Sequence, residues 1–366
     1  MTYFFLTAMS LFSFHASTQG CSEASLLQTA GNWKEGRKGS YSVSGANLQK
    51  EIKVLAAIHA MVKSKYAPTG LEALFHGARS SPSPDRPANG YGYSIIPLNY
   101  RCEGNSIKTD HESSTYFQIQ VNEFGAAIYD TAQGDRSSME GYNVIPDMPV
   151  EQDGHFYFRE KDVTLAFGVP GKLSEWLITY DGKLPYAYVT KKEFLEKRKS
   201  ILATQMLSSA AGVKDVLARL EMEKGFKETE FKNDPARLKK YMTMDYLQIK
   251  ARYEKQLAEN DKTYKPAFTK IETLLRMPSN ELTQPAVVKN DPQDPLSYLF
   301  TNDDDPFGKV LIKPNPAYFN KQISKSSPQF FWIFIEGSHK DSIAAKFMTD
   351  IMKSVDFAAL KAMLGK

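Results

Sequence analysis

The spacing of apolar and polar positions along the chain predicts helices and strands in separate regions. Between residues 46 and 66, apolar side chains recur every three or four positions, which predicts an amphipathic helix, Ala46–Tyr66. From residue 91 to residue 188 the period becomes two, as where Phe117, Ile119 and Val121 alternate with polar residues, which is typical of a sheet with one solvated face. The predicted strands are Tyr93–Tyr100, Thr115–Asn122, Ala126–Asp130, His155–Arg159, Val163–Val169 and Glu175–Tyr180.

The region after residue 188 carries helix-start signals. Thr190 followed by Glu193 is a capping box, and Asp234 followed by Pro235 supplies an N-cap with proline at the first helical position. We expect Pro266 to open a further helix. Residues 277–305 are polar and rich in Pro and Asp, which favours a connector. The predicted strands and helices after this connector are Val310–Ile312, Phe330–Ile335, Asp341–Met352 and Asp356–Leu364.

These patterns predict an α+β fold in which an antiparallel β unit packs with helices. Residues 22–188 would form an N-terminal helix and the β unit, residues 189–276 a helical section, and residues 277–366 a linker with a small α/β element. We expect the helical section to pack against the sheets. Residues 1–21 would be a signal peptide.

The first twenty-one residues are typical of an export signal. Tyr3–Phe14 is an uncharged apolar run of signal-peptide length and is too short to span a bilayer. Gly20 and Cys21 are the pair at which a bacterial lipoprotein signal is cut, although Thr18 stands where an aliphatic residue is usual and no basic residue precedes the run. The main prediction is a lipid anchor on Cys21. Simple secretion and a cytoplasmic protein with an apolar N-terminus are the alternatives.

The two cysteines, Cys21 and Cys102, lead to different outcomes under these alternatives. If Cys21 is lipidated, no disulfide forms within the chain. If it is not, one bridge would close a loop of about 80 residues and stabilise the fold by about 4 kcal/mol.

Charge is spread unevenly along the chain. Residues 189–276 carry 20 Lys and Arg against 13 Asp and Glu, a net charge of +7, whereas the whole chain has a net charge of +4. For an exported protein this indicates contact with an anionic surface, an envelope glycan or an acidic protein partner. Nucleic acid is not expected as a partner, since no binding motif is present. Membrane contact is expected only through the lipid anchor.

Few residues have the spacing of a known catalytic or metal site. Asp110, His111 and Glu112 form the densest ligand-like cluster, and a sheet could bring His155 beside them, although a solvated turn before the strand Thr115–Asn122 is the simpler interpretation. His59 lies on the apolar side of the first predicted helix, which favours a core position. Carboxylates at Asp303, Asp304 and Asp305 could hold Ca²⁺, although the spacing is not that of an EF-hand and an acidic surface loop is the simpler interpretation. No other cofactor is predicted.

Two segments show a resemblance to a known group of proteins. Pro185–Leu195 (PYAYVTKKEFL) and Asn315–Gln329 (NPAYFNKQISKSSPQ) resemble uncharacterised exported proteins of Gram-negative bacteria, in which a strand is followed by a helix that starts P-x-x-x-V-T-[KR]-x-E-[FY]-L. The segment Val355–Leu360 is similar. The resemblance implies export and no particular activity.

The sequence therefore predicts an exported protein of the cell envelope, periplasmic or at the outer membrane, that binds a ligand or acts as a scaffold. The alternative is an envelope hydrolase that acts on glycan or peptide and draws His111, Glu112 or His155 from the β unit.

Overall fold

The computed structural model of the chain describes residues 21–36, 43–78, 87–123, 141–145, 147–180, 182–294 and 296–366. The predicted export signal and the predicted strand Ala126–Asp130 lie outside these residues. The described residues form an α+β fold, as the sequence predicts. The helices are α1 (Glu23–Leu26), α2 (Gly45–Lys65), α3 (Lys191–Glu230), α4 (Pro235–Lys240), α5 (Leu247–Leu274), α6 (Ser279–Leu282), α7 (Ser342–Ser354) and α8 (Phe357–Met363). The strands are β1 (Asn32–Glu35), β2 (Leu71–Ala78), β3 (Tyr91–Glu103), β4 (Ser106–Thr109), β5 (Tyr116–Val121), β6 (Asn143–Ile145), β7 (Val150–Gln152), β8 (His155–Thr164), β9 (Pro170–Ile178), β10 (Tyr186–Tyr188), β11 (Val287–Asn290), β12 (Tyr298–Phe300), β13 (Lys309–Pro314) and β14 (Phe331–Gly337).

The chain forms two compact units, and each is built from separate stretches of sequence. The first unit comprises Met1–Glu123, Glu160–Trp176 and Ser324–Lys366, and the second comprises Phe124–Arg159 and Leu177–Ile323. The predicted boundaries after residues 188 and 276 do not coincide with this division, because the C-terminal strand and helices belong with the N-terminal residues.

A sheet organises the first unit. Its strands run in the order β1-β2-β3-β5-β14-β9-β8, and β4 pairs with β3. The pair β1–β2 is parallel, whereas β14 is antiparallel to β5. The central strand β14 is buried on both faces from Phe331 to Ile335, which explains why its sequence is a continuous apolar run. On β5, Phe117, Ile119 and Val121 are buried and their neighbours are not, as the alternation predicts.

Helices of the first unit bury one face each. On α2, Val54, Leu55, Ile58 and Val62 are buried at helical spacing, which confirms the predicted amphipathic helix. The helix α7 starts at Asp341, whose carboxylate accepts hydrogen bonds from the amides of residues 343 and 344, and α8 starts at Asp356 in the same way.

Buried polar side chains hold the segment before β14 in the first unit. Ser326 is fully buried, and its hydroxyl donates to Glu51 at 2.6 Å while it accepts from the Asn89 amide at 2.9 Å. Asn122, at a positive φ of 55°, donates through its side-chain amide to the Ser327 carbonyl and accepts from the Gln329 amide. These contacts join residues more than 200 positions apart and specify one arrangement of the core.

The second unit combines a smaller sheet with a long helical hairpin. The sheet runs β10-β13-β11-β12, and β6 also pairs with β13. The hairpin consists of α3 and α5, which pack against each other, with α4 and a π-helical turn, Tyr241–Tyr246, between them. The 40 residues of α3 make a rod of about 60 Å.

The hairpin is held by a narrow seam. Near the sheet, Leu195 and Leu202 of α3 pack on Ala267 and Ile271 of α5. Further along, the buried Asn260 donates its side-chain amide to the Met206 carbonyl at 3.1 Å, a polar contact of the kind that fixes the register of paired helices. At the far end a separate cluster forms from residues of the helices and of the turn after α3, namely Leu220, Phe231, Tyr241 and Tyr246. Only the first part of the helical section therefore packs as predicted.

Two predicted features of the second unit are wrong. Pro266 does not open a helix but lies inside α5, where it is exposed and water can satisfy the carbonyl that loses its donor. Residues 277–305 are not a simple connector, since they contain α6, β11 and β12. The strand β11 is stabilised by pairing with β13, and β12 by pairing with β11, which the local sequence does not reveal.

Candidate functional site

A disulfide bond joins Cys21 to Cys102. This bond and the predicted lipid anchor on Cys21 exclude each other, because one sulfur atom cannot carry both a thioether and a disulfide. The bridge spans 81 residues, as the alternative without lipidation predicts. It ties the chain just before α1 to the end of β3, and both lie beside the main cleft of the first unit.

An open cleft of about 700 Å³ lies in the first unit. Its walls come from α1, the end of β3, the segment 110–115, the turn between β8 and β9, and the start of α7. Most of the lining residues are polar in type, with several charged groups and hydroxyls and two aromatic rings, but apolar atoms supply the larger part of the exposed lining. The lining residues are Glu23, Leu26, Asn99, Tyr100, Arg101, Cys102, Asp110, Glu112, Ser113, Ser114, Thr115, Phe167, Val169, Ser338, Lys340, Asp341, Ser342, Ile343 and Ala344.

Several polar groups of the cleft already have protein partners. Arg101 forms an ion pair with Asp110 at 3.1 Å, and Glu23 accepts a hydrogen bond from the Ser342 hydroxyl at 2.5 Å. Asp341 accepts from the Asn99 side chain at 2.8 Å in addition to capping α7. These contacts hold the walls together, and they leave these carboxylates less able to serve a ligand.

Other groups of the cleft remain uncommitted. Within the described part of the chain, the carboxylate of Glu112, the hydroxyl of Ser114 and the ammonium of Lys340 make no hydrogen bond or ion pair, and all three line the cleft. A ligand could therefore meet an acceptor, a hydroxyl and a cationic donor without breaking a contact inside the protein.

Phe167 presents an exposed aromatic ring at the same cleft. It lies in the tight turn between β8 and β9, where Leu165 donates its amide to the Val169 carbonyl at 2.8 Å. Phe167 has φ 62° and Gly168 has φ 73°, the two positive angles of a type I′ turn. Asn or Gly is favoured at the first of these positions, whereas a bulky L-residue there costs about 1 to 2 kcal/mol. The ring is nevertheless 79% exposed, so it gains little from packing.

A strained residue that gains no burial is informative. Backbone strain that the fold does not require is concentrated at functional sites, and an observed outlier supports a functional hypothesis. The sequence pattern does not single out Phe167, because the apolar run Val163–Val169 predicts a strand. The dipeptide Phe167–Gly168 within that run is the local signal that indicates a turn.

The structure brings one of the three predicted catalytic residues to the cleft. Glu112 lines it, and the neighbouring His111 is exposed but does not. His155 begins β8 in the second unit, whereas Glu112 belongs to the first. The structure therefore describes no shared site for His155 and the pair His111 and Glu112.

His59 lies in the core of the first unit, in agreement with its predicted position. Its ring stacks on Phe75 at 4.1 Å between centroids, and its Nδ1 lies 3.2 Å from the hydroxyl of Tyr93. Burial, followed by the nearby Lys63, lowers the pKa of His59. These contacts assign it a packing role.

The acidic loop of the second unit is organised by a lysine. Asp305 accepts from Lys289 at 2.7 Å, from the Thr301 hydroxyl at 2.6 Å and from the Phe307 amide at 2.9 Å. The hydrogen bond from Lys289 is the main reason why the pKa of Asp305 falls to about 2. No group of three or more potential metal ligands, Asp303 and Asp304 included, occurs among the described residues. A calcium ion at Asp305 would have to compete with Lys289.

Comparison with known proteins adds no relative. No protein-family model, curated protein or solved structure matches the chain. Within the described ranges, no helix is long and apolar enough to cross a membrane. The proposals below therefore rest on the residues of this chain.

Proposed function

We propose that the protein is an exported binding protein of the cell envelope whose cleft takes a polyhydroxylated ligand of the glycan class. The observation that carries this proposal is Phe167, held exposed at the cleft in a conformation that favours Asn or Gly. The C–H face of a sugar ring can cover an exposed aromatic ring and remove apolar surface from water.

The groups beside Phe167 suit the rest of such a ligand. Sugar hydroxyls both donate and accept hydrogen bonds, which matches the free carboxylate of Glu112 and the free hydroxyl of Ser114. Lys340 adds a positive charge, which favours a sugar that bears a carboxylate or another anionic substituent.

The disulfide supports export. Disulfides form and persist in oxidising compartments such as the periplasm or the extracellular space, and they are rare in the cytosol. A bridge that fastens one wall of the cleft therefore fits a protein that works in such a compartment.

The alternative, an envelope hydrolase, is less well supported. Glycoside hydrolysis uses two carboxyl groups that flank the scissile bond. Three of the carboxylates in the cleft, Glu23, Asp110 and Asp341, already accept bonds from protein groups. Glu112 alone remains uncommitted within the described residues, which suits binding better than turnover.

The test is a thermal-shift screen of the oxidised protein against neutral, amino-sugar and carboxylate-bearing oligosaccharides, muropeptides included. A ligand at about 100 times its dissociation constant stabilises the folded state by about 2.7 kcal/mol. We expect a shift with at least one sugar, and we expect Phe167→Ala to lose it. The matched control is Phe307→Ala, since Phe307 is 76% exposed and lies in the second unit. No shift with any sugar, or the same shift with Phe167→Ala, would contradict the proposal.

A further inference from the structure

The long helix α3 has a buried side and an exposed side that is also largely apolar. Apart from Phe194, which packs with residues of the smaller sheet, its buried apolar residues form the side that faces α5, namely Leu195, Leu202, Val213 and Leu220. At about 100° per residue they lie within about 20° of one direction. Packing against α5 therefore explains why this side of α3 is apolar.

The opposite direction carries what we call the outer stripe of α3, defined as Leu207, Ala211, Ala218, Met222 and Gly225. These residues lie within about 50° of the direction opposite the seam. All five are exposed, and the side chains of Leu207 and Met222 are 66% and 60% exposed. Two exposed large apolar side chains on one stripe of a helix favour a partner over solvent.

The other limb of the hairpin shows what a solvated outer face looks like in this protein. Opposite its seam, α5 carries Lys255, Lys262 and Thr269, all exposed, beside the small Ala251 and Ala258 and the exposed Leu247 at its start. Both outer faces are open in the described structure, and the two limbs differ in that α5 places two lysines on this side. The outer stripe of α3 is therefore the side of the hairpin on which we expect a partner to bind.

We propose that the partner is a second copy of this chain, bound through antiparallel pairing of the two α3 helices about a twofold axis near residue 217. In this register Ala218 approaches Ala218 of the second copy, Met222 lies against Ala211, and Leu207 lies near Gly225. Small residues thus face large ones, which is how closely packed helices interdigitate. The proposal does not depend on the cleft.

Charges on both flanks of the stripe complement each other in this register. Lys214 on one flank meets Glu221 of the second copy, and Asp215 on the other flank meets Arg219. Within the described residues Lys214, Asp215 and Arg219 form no ion pair, and Glu221 is paired with Lys250 at 2.6 Å.

Gly225 supplies an independent observation. A Cβ atom added there would meet nothing within 4 Å, so the single chain does not require glycine at this position. Glycine inside a helix is unfavourable relative to alanine. A second helix that places Leu207 against this position would explain why residue 225 is a glycine.

Analytical ultracentrifugation of the intact oxidised protein over a concentration series tests the pairing. We expect a reversible monomer–dimer equilibrium, and we expect Leu207→Glu or Met222→Glu to weaken it at least tenfold. Leu247→Glu is the matched control, because Leu247 is 51% exposed but lies on α5. Asp215→Arg and Arg219→Asp should each weaken the dimer, and the double variant should restore it.

Cysteine cross-linking tests the orientation. The described residues contain no free cysteine, so an introduced thiol reports on its own position. We expect Ala218→Cys to form a cross-linked dimer and Ala211→Cys to remain uncrossed, since antiparallel pairing separates the two copies of residue 211 by about 18 Å along the helix.

Three results would overturn the proposal. The first is a monomer at every concentration. The second is a dimer that survives Leu207→Glu, and the third is an Ala211→Cys chain that cross-links with itself. A monomer that co-sediments with phosphatidylglycerol vesicles, and loses this with Leu207→Glu, would assign the stripe to an anionic lipid surface instead.

Discussion

The sheet of the first unit and the helical hairpin of the second are stabilised by different kinds of contact. In the first unit the buried contacts join distant parts of the chain, such as Ser326 with Asn89 and Cys21 with Cys102. In the hairpin, the buried residues beyond the sheet meet neighbours across a single seam, whereas near the sheet Leu282 of α6 joins the cluster as well. The comparison teaches that contacts between distant segments can hold a strained residue at the cleft, whereas a seam between two helices leaves the outer stripe of α3 exposed.

The disulfide provides the largest expected effect on this comparison. Replacing both Cys21 and Cys102 by Ser should lower the free energy of unfolding by about 4 kcal/mol, because the unfolded chain regains the freedom of a long loop. All three tryptophans, Trp33, Trp176 and Trp332, lie in the first unit, so urea unfolding followed by tryptophan fluorescence reports on that unit. A loss below about 1 kcal/mol would show that α1 is not anchored through the bridge.

The two leucines of α3 sharpen the contrast between its sides. Leu202 is fully buried in the seam, so Leu202→Ala should destabilise the hairpin by about 3 kcal/mol through lost burial and a residual cavity. Leu207→Ala, on the outer stripe, should leave the stability of the monomer within about 0.5 kcal/mol. Far-ultraviolet circular dichroism at dilutions that favour the monomer measures both. Equal losses would mean that the outer stripe is already covered within the chain.

Phe167→Asn tests whether the strain at the cleft is real. Asn followed by Gly168 is a preferred type I′ turn, so this variant should stabilise the first unit by about 1 kcal/mol. Tryptophan fluorescence in a urea titration gives the measurement. A variant that is less stable than the original chain would mean that the Phe167 ring contributes packing, and the functional argument from its exposure would fail.

The smallest expected effect is the acid dependence of the loop in the second unit. The pKa of Asp305 is lowered to about 2, mainly by the hydrogen bond from Lys289. A lowered carboxyl pKa in the folded state contributes stability that is present above the unfolded pKa of about 4 and is lost as the pH falls through about 2. Asp305→Asn should therefore reduce the loss of stability between these pH values. Asp304→Asn is the control, and circular dichroism against pH is the measurement.

Local signals predicted some elements well. Thr190 accepts from the Glu193 amide as the capping box requires, although the Glu193 carboxylate pairs with Lys313 instead of reaching back. Asp234 caps α4 as predicted. Such signals act within one turn of helix, where few competing contacts exist.

Features that depend on distant partners could not be predicted in this way. The strand β2 was not identified, because its order comes from pairing with β1 and β3. The cleft joins residues from five separate stretches of chain, and the sequence patterns single out only Cys102, Asp110 and Glu112 among them. The run Val163–Val169 predicts a strand where the structure has the turn at Phe167. An apolar residue that is exposed in a turn cannot be told from a buried strand residue by the sequence pattern.

The most direct test of the central claim is saturation-transfer NMR with the sugar that gives the largest thermal shift. The original chain and Phe167→Asn are compared at equal concentration, with Phe307→Ala as the control. We predict transfer of magnetisation to the sugar ring protons for the original chain and the control, and none for Phe167→Asn despite its greater stability. Equal transfer for all three proteins would contradict the assignment of the cleft as the binding site.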